Sequence, residues 1–406
     1  MLHTKAVVLG IITKGIREAC KRIKGRKMTF LEVVGKELKA VFSNITIVFV
    51  VFVGSLLYVF LYPTPYYADV VRKQKIVVLD LDNTKLSKDF IFLVNASENL
   101  QVEHVVYSLK AAKDMLERSE VYGQLSIPKG FESNMYKGVP TTLLYRANAS
   151  YFLIYGTIIE GLNEVGNYWS NEIKLKAKAL KGEINIGDDT TLVRFDSIPL
   201  FNPSVGYINY ALAAILVFIL HQTLIAGIMI QGASQNKAHE NHEKHYFNTA
   251  PLSYVLWARI FVFSGIYVVL FLLYFGVFFK IYGIHTTANP FDFWFFGLMF
   301  IASCAAFGMF LSTFISDSAL PTQIILISSL PLVFMMGFIY PVMLLPQVLQ
   351  WLVNLIPAYH GINGFIRLNQ MGDSLHNIMP NFYALALIFC VCFVLSYVRF
   401  KKKFKR

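Results

Sequence analysis

Asp80 and Asp82 are the residues whose spacing first suggests chemistry. Lys75–Leu81 (KIVVLDL) is β-branched and bounded by polar residues, so it reads as a strand, and Asp80-Leu-Asp82-Asn-Thr84 closes it. Two carboxylates at i and i+2 at a strand end reach onto the following loop, where nucleophilic chemistry can use them. Asp-Asn after a strand is also ordinary turn chemistry, and that is the reading favoured here. His239, His242 and His245 stand at i, i+3 and i+6. Successive members share a helix face, but the outer two are splayed and no Cys is near, so a solvated face is expected rather than a metal site. No Gly-x4-Gly-Lys-Ser/Thr phosphate loop occurs, so the chain does not hydrolyse ATP by that route. Polar groups inside apolar runs form the last set: His221, Gln222 and Thr223, and then Thr322, Gln323, Ser328 and Ser329. Such groups face a cavity or bond neighbouring helices.

The elements that carry these residues belong to a membrane protein. Of 406 residues, 55% are hydrophobic and 15% charged, against about 25% charged in soluble chains. That excludes disordered, fibrous and disulfide-stapled classes. Cys20, Cys304, Cys390 and Cys392 all lie outside residues 63–205, which therefore hold no disulfide framework. The net charge of +12 sits at the ends. Residues 1–62 carry ten Lys/Arg against Glu18, Glu32 and Glu37, and the tail holds Arg399, Lys401, Lys402, Lys403, Lys405 and Arg406. Residues 63–205 balance 16 basic against 17 acidic side chains. Basic blocks beside apolar runs are a positive-inside signal, not the basic face of a nucleic-acid-binding domain, so no nucleic-acid partner is expected.

Charge gaps locate the spans, each of which needs about 20 apolar residues. They are centred on Ile45–Tyr62, Tyr207–Ile230, Ile260–Phe279, Phe293–Ile315, a part of the 49-residue gap Ser318–Ile366, and Phe382–Val398. The expected fold is thus an α-helical membrane protein with six transmembrane helices. An even count places both basic ends in the cytoplasm, with residues 63–205 outside between spans one and two. Residues 1–44 read as a basic cytoplasmic segment plus an amphipathic interfacial helix, Phe30–Asn44, with Leu31, Val34, Leu38 and Val41 on its apolar face. Met1–Gly10 has no signal-peptide pattern. Spans two to six occupy 206–400, with a cytoplasmic loop at 233–252 and a basic tail at 401–406. Pro341, Pro346 and Pro357 each interrupt an ordinary helix. A proline-divided apolar run at membrane depth must be enclosed by protein, so 345–367 is expected to be re-entrant, before the last span.

Residues 63–205 alternate strand and helix signals. Strands are expected at Lys75–Leu81, Val121–Ile127 and Thr141–Tyr145, and helices at Val105–Arg118 and Tyr151–Lys181. Together they imply a small extracytoplasmic α/β domain. Asp80-Leu-Asp82-Asn-Thr84 resembles the first motif of haloacid dehalogenase phosphatases, in which the first Asp is the nucleophile, the second an acid/base, and Mg²⁺ lies beside them. Gly187-Asp188-Asp189 would be the corresponding acidic pair. A membrane-anchored phosphatase is the alternative function this implies. No convincing phosphate-binding Ser/Thr or Lys follows suitable strands between the two.

Over residues 30–400 the chain resembles bacterial ATP-binding-cassette type-2 permeases. The resemblance rests chiefly on Ser329-Leu-Pro331, Met336-Gly337-Phe338-Ile339-Tyr340-Pro341, Leu345-Pro346, Trp351-Leu352, Ile356-Pro357 and Arg367. Weaker matches are Ser126-Ile-Pro128-Lys-Gly-Phe131 and Asn202-Pro203. The family pattern also places a coupling helix after span two, with an acid and a Pro eleven residues later; Glu240 and Pro251 have that spacing, whereas His242 and Glu243 replace the usual Gly-Thr. The resemblance implies a permease subunit of an ATP-driven exporter in the bacterial inner membrane that moves a hydrophobic or amphipathic compound such as a drug or lipid. It would bind no cofactor itself, and a separate ATPase would use the ATP. That ATPase would contact Glu240, Glu243, His245 and Pro251. A second permease copy, membrane lipid and a periplasmic adaptor are further implied partners. The substrate path would run along spans two and five, past His221, Gln222, Thr223, Thr322 and Gln323.

Overall fold

The computed structural model describes residues 28–64, 72–137, 139, 141–147, 152–180, 208–243 and 245–404. In chain order the elements are α1 (Phe30–Ser43), α2 (Ile45–Leu61), β1 (Gln74–Asp80), α3 (Lys85–Ala96), β2 (Leu100–Val106), α4 (Leu109–Glu117), β3 (Gly123–Ile127), α5 (Phe131–Lys137), β4 (Leu144–Ala147) and α6 (Phe152–Leu180). There follow α7 (Ala213–Glu240), α8 (Tyr246–Thr249), α9 (Leu252–Ile281), α10 (Pro290–Ser312), α11 (Leu320–Met335), α12 (Gln347–Asn354), α13 (Pro357–Asn369) and α14 (Met379–Lys403). They form two compact units, residues 68–198 and the remainder.

The smaller unit is a four-stranded sheet of order β2-β1-β3-β4, with β1 parallel to β2 and β3 and β4 antiparallel to β3. Central β1 is buried from Ile76 to Asp80, as a strand covered on both faces must be. Ile76 and Val78 pack against Phe90 of α3 and against Ile158 and Trp169 of α6. Val77 and Leu79 face Ala112 of α4. Two expected elements move. The helix expected from Val105 starts at Leu109, because Leu100–Val106 pairs with β1 as an extra strand. The strand expected at Thr141–Tyr145 lies at Leu144–Ala147. Asp188, Asp189, Asn202 and Pro203 lie outside the described residues.

The larger unit is a helical bundle around α7. The most apolar stretch of α7 is covered on every side by α2, α9, α10, α11 and α13. Among the described residues, four helices are long and apolar enough to cross a membrane: Ala213–Glu240, Leu252–Ile281, Pro290–Ser312 and Leu375–Lys403. A fifth exists if α1 and α2, which meet at 80°, count as one bent span. The expected six is therefore not reached by length and composition. The bend at Asn44 leaves α2 short, and α11 has only 16 residues, with Pro331 inside and Gly337 at φ +90° just beyond. Tyr274 and Tyr282 of α9 donate hydroxyl hydrogen bonds to the Ser55 and Val59 carbonyls of α2 (2.6 and 3.0 Å). Both acceptors lie in the α-helical stretch Ser55–Leu61 just beyond the π-helical turn Phe49–Gly54.

Beyond α11 the prolines begin elements. Pro341 precedes the single turn Val342–Leu344, Pro346 precedes α12, and Pro357 is the first residue of α13, positions where a missing N–H costs nothing. α13 is buried along much of its length against α7, α10 and α14. It enters because Gly361 and Gly364 present bare backbone to the rings of Phe300 and Phe296. A Cβ at Gly364 would lie 2.1 Å from Phe296 Cζ. Phe365 beside it touches the rings of Phe271, Phe275, Phe293, Phe296 and Phe300. Gly364→Ala should displace the Phe296 ring and cost about 1–3 kcal/mol as overpacking. The expected readout is a melting temperature several degrees lower in detergent, with Gly35→Ala, which meets open space, as the neutral comparison.

Candidate functional site

Glu37 is fully buried on α1, and Arg259 of α9 is 1% exposed beside it. Arg259 Nη2 lies 3.2 Å from Glu37 Oε1. Gln231 and Gln235, one turn apart on α7, donate to the same carboxylate at 3.3 and 3.2 Å. Gln235 also accepts from Arg259 and donates to the Tyr246 hydroxyl of α8 at 2.9 Å. Burial and then the Glu37 charge push the Tyr246 phenol well above its usual pKa. One carboxylate thus ties α1, α7, α8 and α9 together. The local cause is the stripe Val33, Glu37, Val41, at i, i+4, i+8. The expected apolar face divides accordingly: Val41 turns inward, while Leu31 and Leu38 remain exposed. Sequence reasoning missed this cluster. A lone Arg between long uncharged runs, and Gln at i and i+4 near a helix end, were the available signals.

The loop after α7 is shorter than expected. Within the expected loop 233–252, α7 continues to Glu240, His242 takes φ +57°, and α8 is a single turn. Pro251 then caps α9. Glu240 is engaged within the unit: Oε1 accepts from Ser316 Oγ at 2.6 Å and lies 3.2 Å from Lys403 Nζ. Arg399 of the same C-terminal helix bonds Thr313 Oγ1 at 2.9 Å and lies over the Phe314 ring. Glu243 pairs with His245 at 2.9 Å, and that bond holds its carboxyl below the usual range. With the helix ended, the three histidines lose their shared face. His239 bonds Asn248 at 3.0 Å, and no cluster fit to hold a metal exists among the described residues.

Of the candidate path residues, three come together. A cavity of about 260 Å³ between α2, α7 and α11 is lined by Gln222, Thr223, Thr322 and Ser329, with Phe49, Tyr58 and Phe218 among its apolar walls. Thr223 accepts hydrogen bonds from Ser55 and Tyr267 (3.1 and 2.9 Å), and the Gln222 amide nitrogen has no partner among the described residues. His221 does not line the cavity; it is buried beside Phe218 with neither ring nitrogen bonded. Gln323 is exposed. In the proline-rich segment, Arg367 closes onto Asp373 at 2.6 Å, tying the end of α13 to its following loop.

A model of the ABC-2 family transporter proteins matches residues 41–398. The chain belongs to that family. No curated protein matches it. Membership makes this ABC-2 protein a multi-pass permease component of an ABC transporter and implies a partner ABC ATPase.

Asp80 and Asp82, in the smaller unit of this ABC-2 permease, are committed to its fold. Asp80 is buried; its Oδ1 accepts from the amides of Asp82 and Asn83 and its Oδ2 from Ser87 Oγ at 2.8 Å. Asp82 accepts from the amides of Gly130, Phe131 and Glu132 at 2.6, 3.2 and 3.0 Å and from Thr84 Oγ1 at 2.8 Å. It therefore caps the α5 N-terminus. Both residues serve turn and cap, which removes the support for a phosphatase reading.

Two expectations follow. Removing one partner of a buried ion pair strands the other, so Glu37→Ala or Arg259→Ala should each cost about 3–5 kcal/mol. Glu37→Leu with Arg259→Met should recover most of that; a thermal double-mutant cycle in detergent checks it. Burial alone would raise the Asp82 carboxyl, but the Glu132 amide, Thr84 and the other two amides hold it below 3.8. Its contribution is therefore complete above about pH 4 and lost as the pH falls through the depressed value. Asp82→Ala should cost about 1–2 kcal/mol locally, read as faster hydrogen exchange at the Gly130, Phe131 and Glu132 amides of the full chain at neutral pH.

Proposed function

We propose that the chain is the permease subunit of an exporter. Six crossings would place both ends in the cytoplasm of a bacterial inner membrane and the 68–198 unit outside, with a second permease copy completing the pathway. ATP binding by the partner would move the loop 233–252, and the substrate would pass the cavity walled by Gln222, Thr223 and Thr322. The observation that carries this reading is the Tyr246–Gln235–Glu37–Arg259 network, which connects that loop to two membrane helices and to the interfacial helix. A push on α8 therefore acts on buried structure rather than on a free loop. The polar positions in an apolar cavity suit an amphipathic substrate. The outside location assigned to the smaller unit favours export, since it could hand substrate onward.

The test is assembly and coupling. The wild-type chain should co-purify with an ABC ATPase whose hydrolysis rises with substrate. Glu240→Lys with Glu243→Lys should weaken assembly or uncouple hydrolysis from transport while the spans stay folded. Because Glu240 also holds Lys403, the matched control is Lys403→Gln, which breaks the clasp without changing the acids. Normal assembly and coupling in the double variant would overturn the role given to this loop.

A further inference from the structure

The cavity between α2, α7 and α11 has a floor and a mouth of different kinds. Phe218, Gln222 and Ala226 stand at i, i+4 and i+8 on α7, on one face of that helix, and none is more than 6% exposed. Thr223 beside them has no capacity left. Its hydroxyl donates to the Ile219 carbonyl at 2.8 Å and accepts from Ser55 and Tyr267 at 3.1 and 2.9 Å, which uses its one proton and both lone pairs. The Gln222 amide nitrogen is the opposite case, buried and without a partner among the described residues. At the mouth the walls are apolar and open: Phe49, Tyr58 and Leu326 are 59%, 42% and 75% exposed. We propose that this cavity binds an uncharged compound with an aromatic body and one amide-like hydrogen-bonding group, which the Gln222 amide holds. The inference names the substrate class of the path proposed above and rests on that reading.

The absence of charge comes from the lining. Among the described residues, no Asp, Glu, Lys, Arg or His borders the cavity. A carboxylate, phosphate or ammonium would leave water there and meet no counter-ion, a costly transfer. The hydrogen-bonding group follows from the floor. A buried donor with no acceptor destabilises the empty protein, and a ligand acceptor removes that cost. The Gln222 amide can turn about its last torsion, whose preferences are broad, so it offers its N–H or, reversed, its carbonyl; a carboxamide answers both. The bulk follows from the volume. About 260 Å³ is just below the roughly 300–1,000 Å³ of sites for drug-sized ligands, which suits one or two rings and not a whole phospholipid. On the facing wall, Thr322 and Ser329 of α11 add hydroxyls two turns apart. The exposed apolar mouth completes the argument. With the spans placed as proposed, the approach runs through hydrocarbon, which uncharged compounds enter and ions avoid.

The experiment uses the full permease in lipid nanodiscs and benzoylbenzamide, an uncharged aromatic ketone that inserts into nearby C–H bonds on irradiation. Labelled peptides should contain residues of 218–226 or 322–329, the α7 and α11 walls. Naphthamide should compete with the label. Naphthoate and naphthylmethylammonium, the same rings carrying a charge at neutral pH, should compete roughly tenfold less well or worse. Gln222→Leu should weaken competition by naphthamide roughly fivefold to tenfold, the loss of one hydrogen bond, and leave naphthalene, which has no polar group, unchanged. The comparison of charged and uncharged competitors on the wild-type chain decides the matter if Gln222→Leu fails to fold. Equal competition by either charged compound, labelling confined to other segments, or an equal loss for naphthamide and naphthalene would overturn the proposal. The expected competition pattern with no rise in hydrolysis by a co-purified ABC ATPase would keep the binding site and overturn the path reading. Hydrolysis that rises with an exported compound, while benzoylbenzamide never labels these walls, would overturn the site and leave the transporter reading standing.

Discussion

A carboxylate with no water around it must be held by donors, and Glu37 is held by Arg259, Gln231 and Gln235. Desolvating two charges costs several kcal/mol per ion, so such a pair is poor value as simple stabilisation compared with packed apolar residues. What it does supply is placement. The Glu37 position on α1, the Gln231–Gln235 turn of α7 and Arg259 near the start of α9 must coincide, or a charge is stranded. A slide of α1 by one residue would carry Glu37 about 100° around the helix, away from its donors. Helix α1 is therefore pinned to the bundle at a defined rotation, and the Tyr246 hydroxyl extends that pin into the loop. The network is not saturated, since Arg259 Nε has no partner among the described residues.

Around that pin the bundle is built by contact rather than by charge. Inside a membrane, helices gain little from hiding apolar side chains, and close packing of small residues decides how they associate. Ser312 of α10 lies so near α7 that a Cβ at Gly232 would be 2.4 Å from it, and Asn236, one turn further along, donates to the Ser312 and Ile315 carbonyls at 2.8 and 2.6 Å. The α10 end, which has no further helical partner for those carbonyls, is thus closed by a side chain of the central helix. The same close approach on the other side of α10 lets α13 enter, with ring faces on glycine backbone.

The sequence revealed these features unevenly, for physical reasons. β1 was legible because Ile76, Val77, Val78 and Leu79 form the continuous apolar run of a doubly covered strand. β2 was hidden because Glu103 and His104 interrupt Leu100–Val106, an edge strand whose outer positions tolerate charge. The prolines were legible as breaks, and their finer role as helix starts follows from where the chain turns. Thr223 and Thr322 were visible as polar groups among apolar ones. That they share a cavity, while His221 next in sequence does not, depends on rotation about α7 and on which neighbours cover each face. Glu37 looked like one of several solvated charges on an amphipathic helix, and Arg259 like the flank of a span. Their pairing spans more than two hundred positions and has no local signature.

A pattern joins the acids of the larger unit. Glu32 bonds the Thr29 amide, Glu37 pairs with Arg259, Glu240 with Lys403, Glu243 with His245 and Asp373 with Arg367, while Asp292 and Asp317 accept from the amides of Leu375 and Ala319. Among the described residues of that unit, every acid is thus bound internally. Lys36, Lys39, Lys237, Lys401 and Lys402 have no ion pair there. Each ion pair spends a cation as well as an acid, so the unit's outward charge keeps the positive sign of its residue count, carried by the unpaired lysines. Such an excess draws two kinds of neighbour, anionic membrane and acidic protein. Fold and charge are therefore linked, because the acids of this unit are placed where the fold needs an acceptor and the free lysines are not.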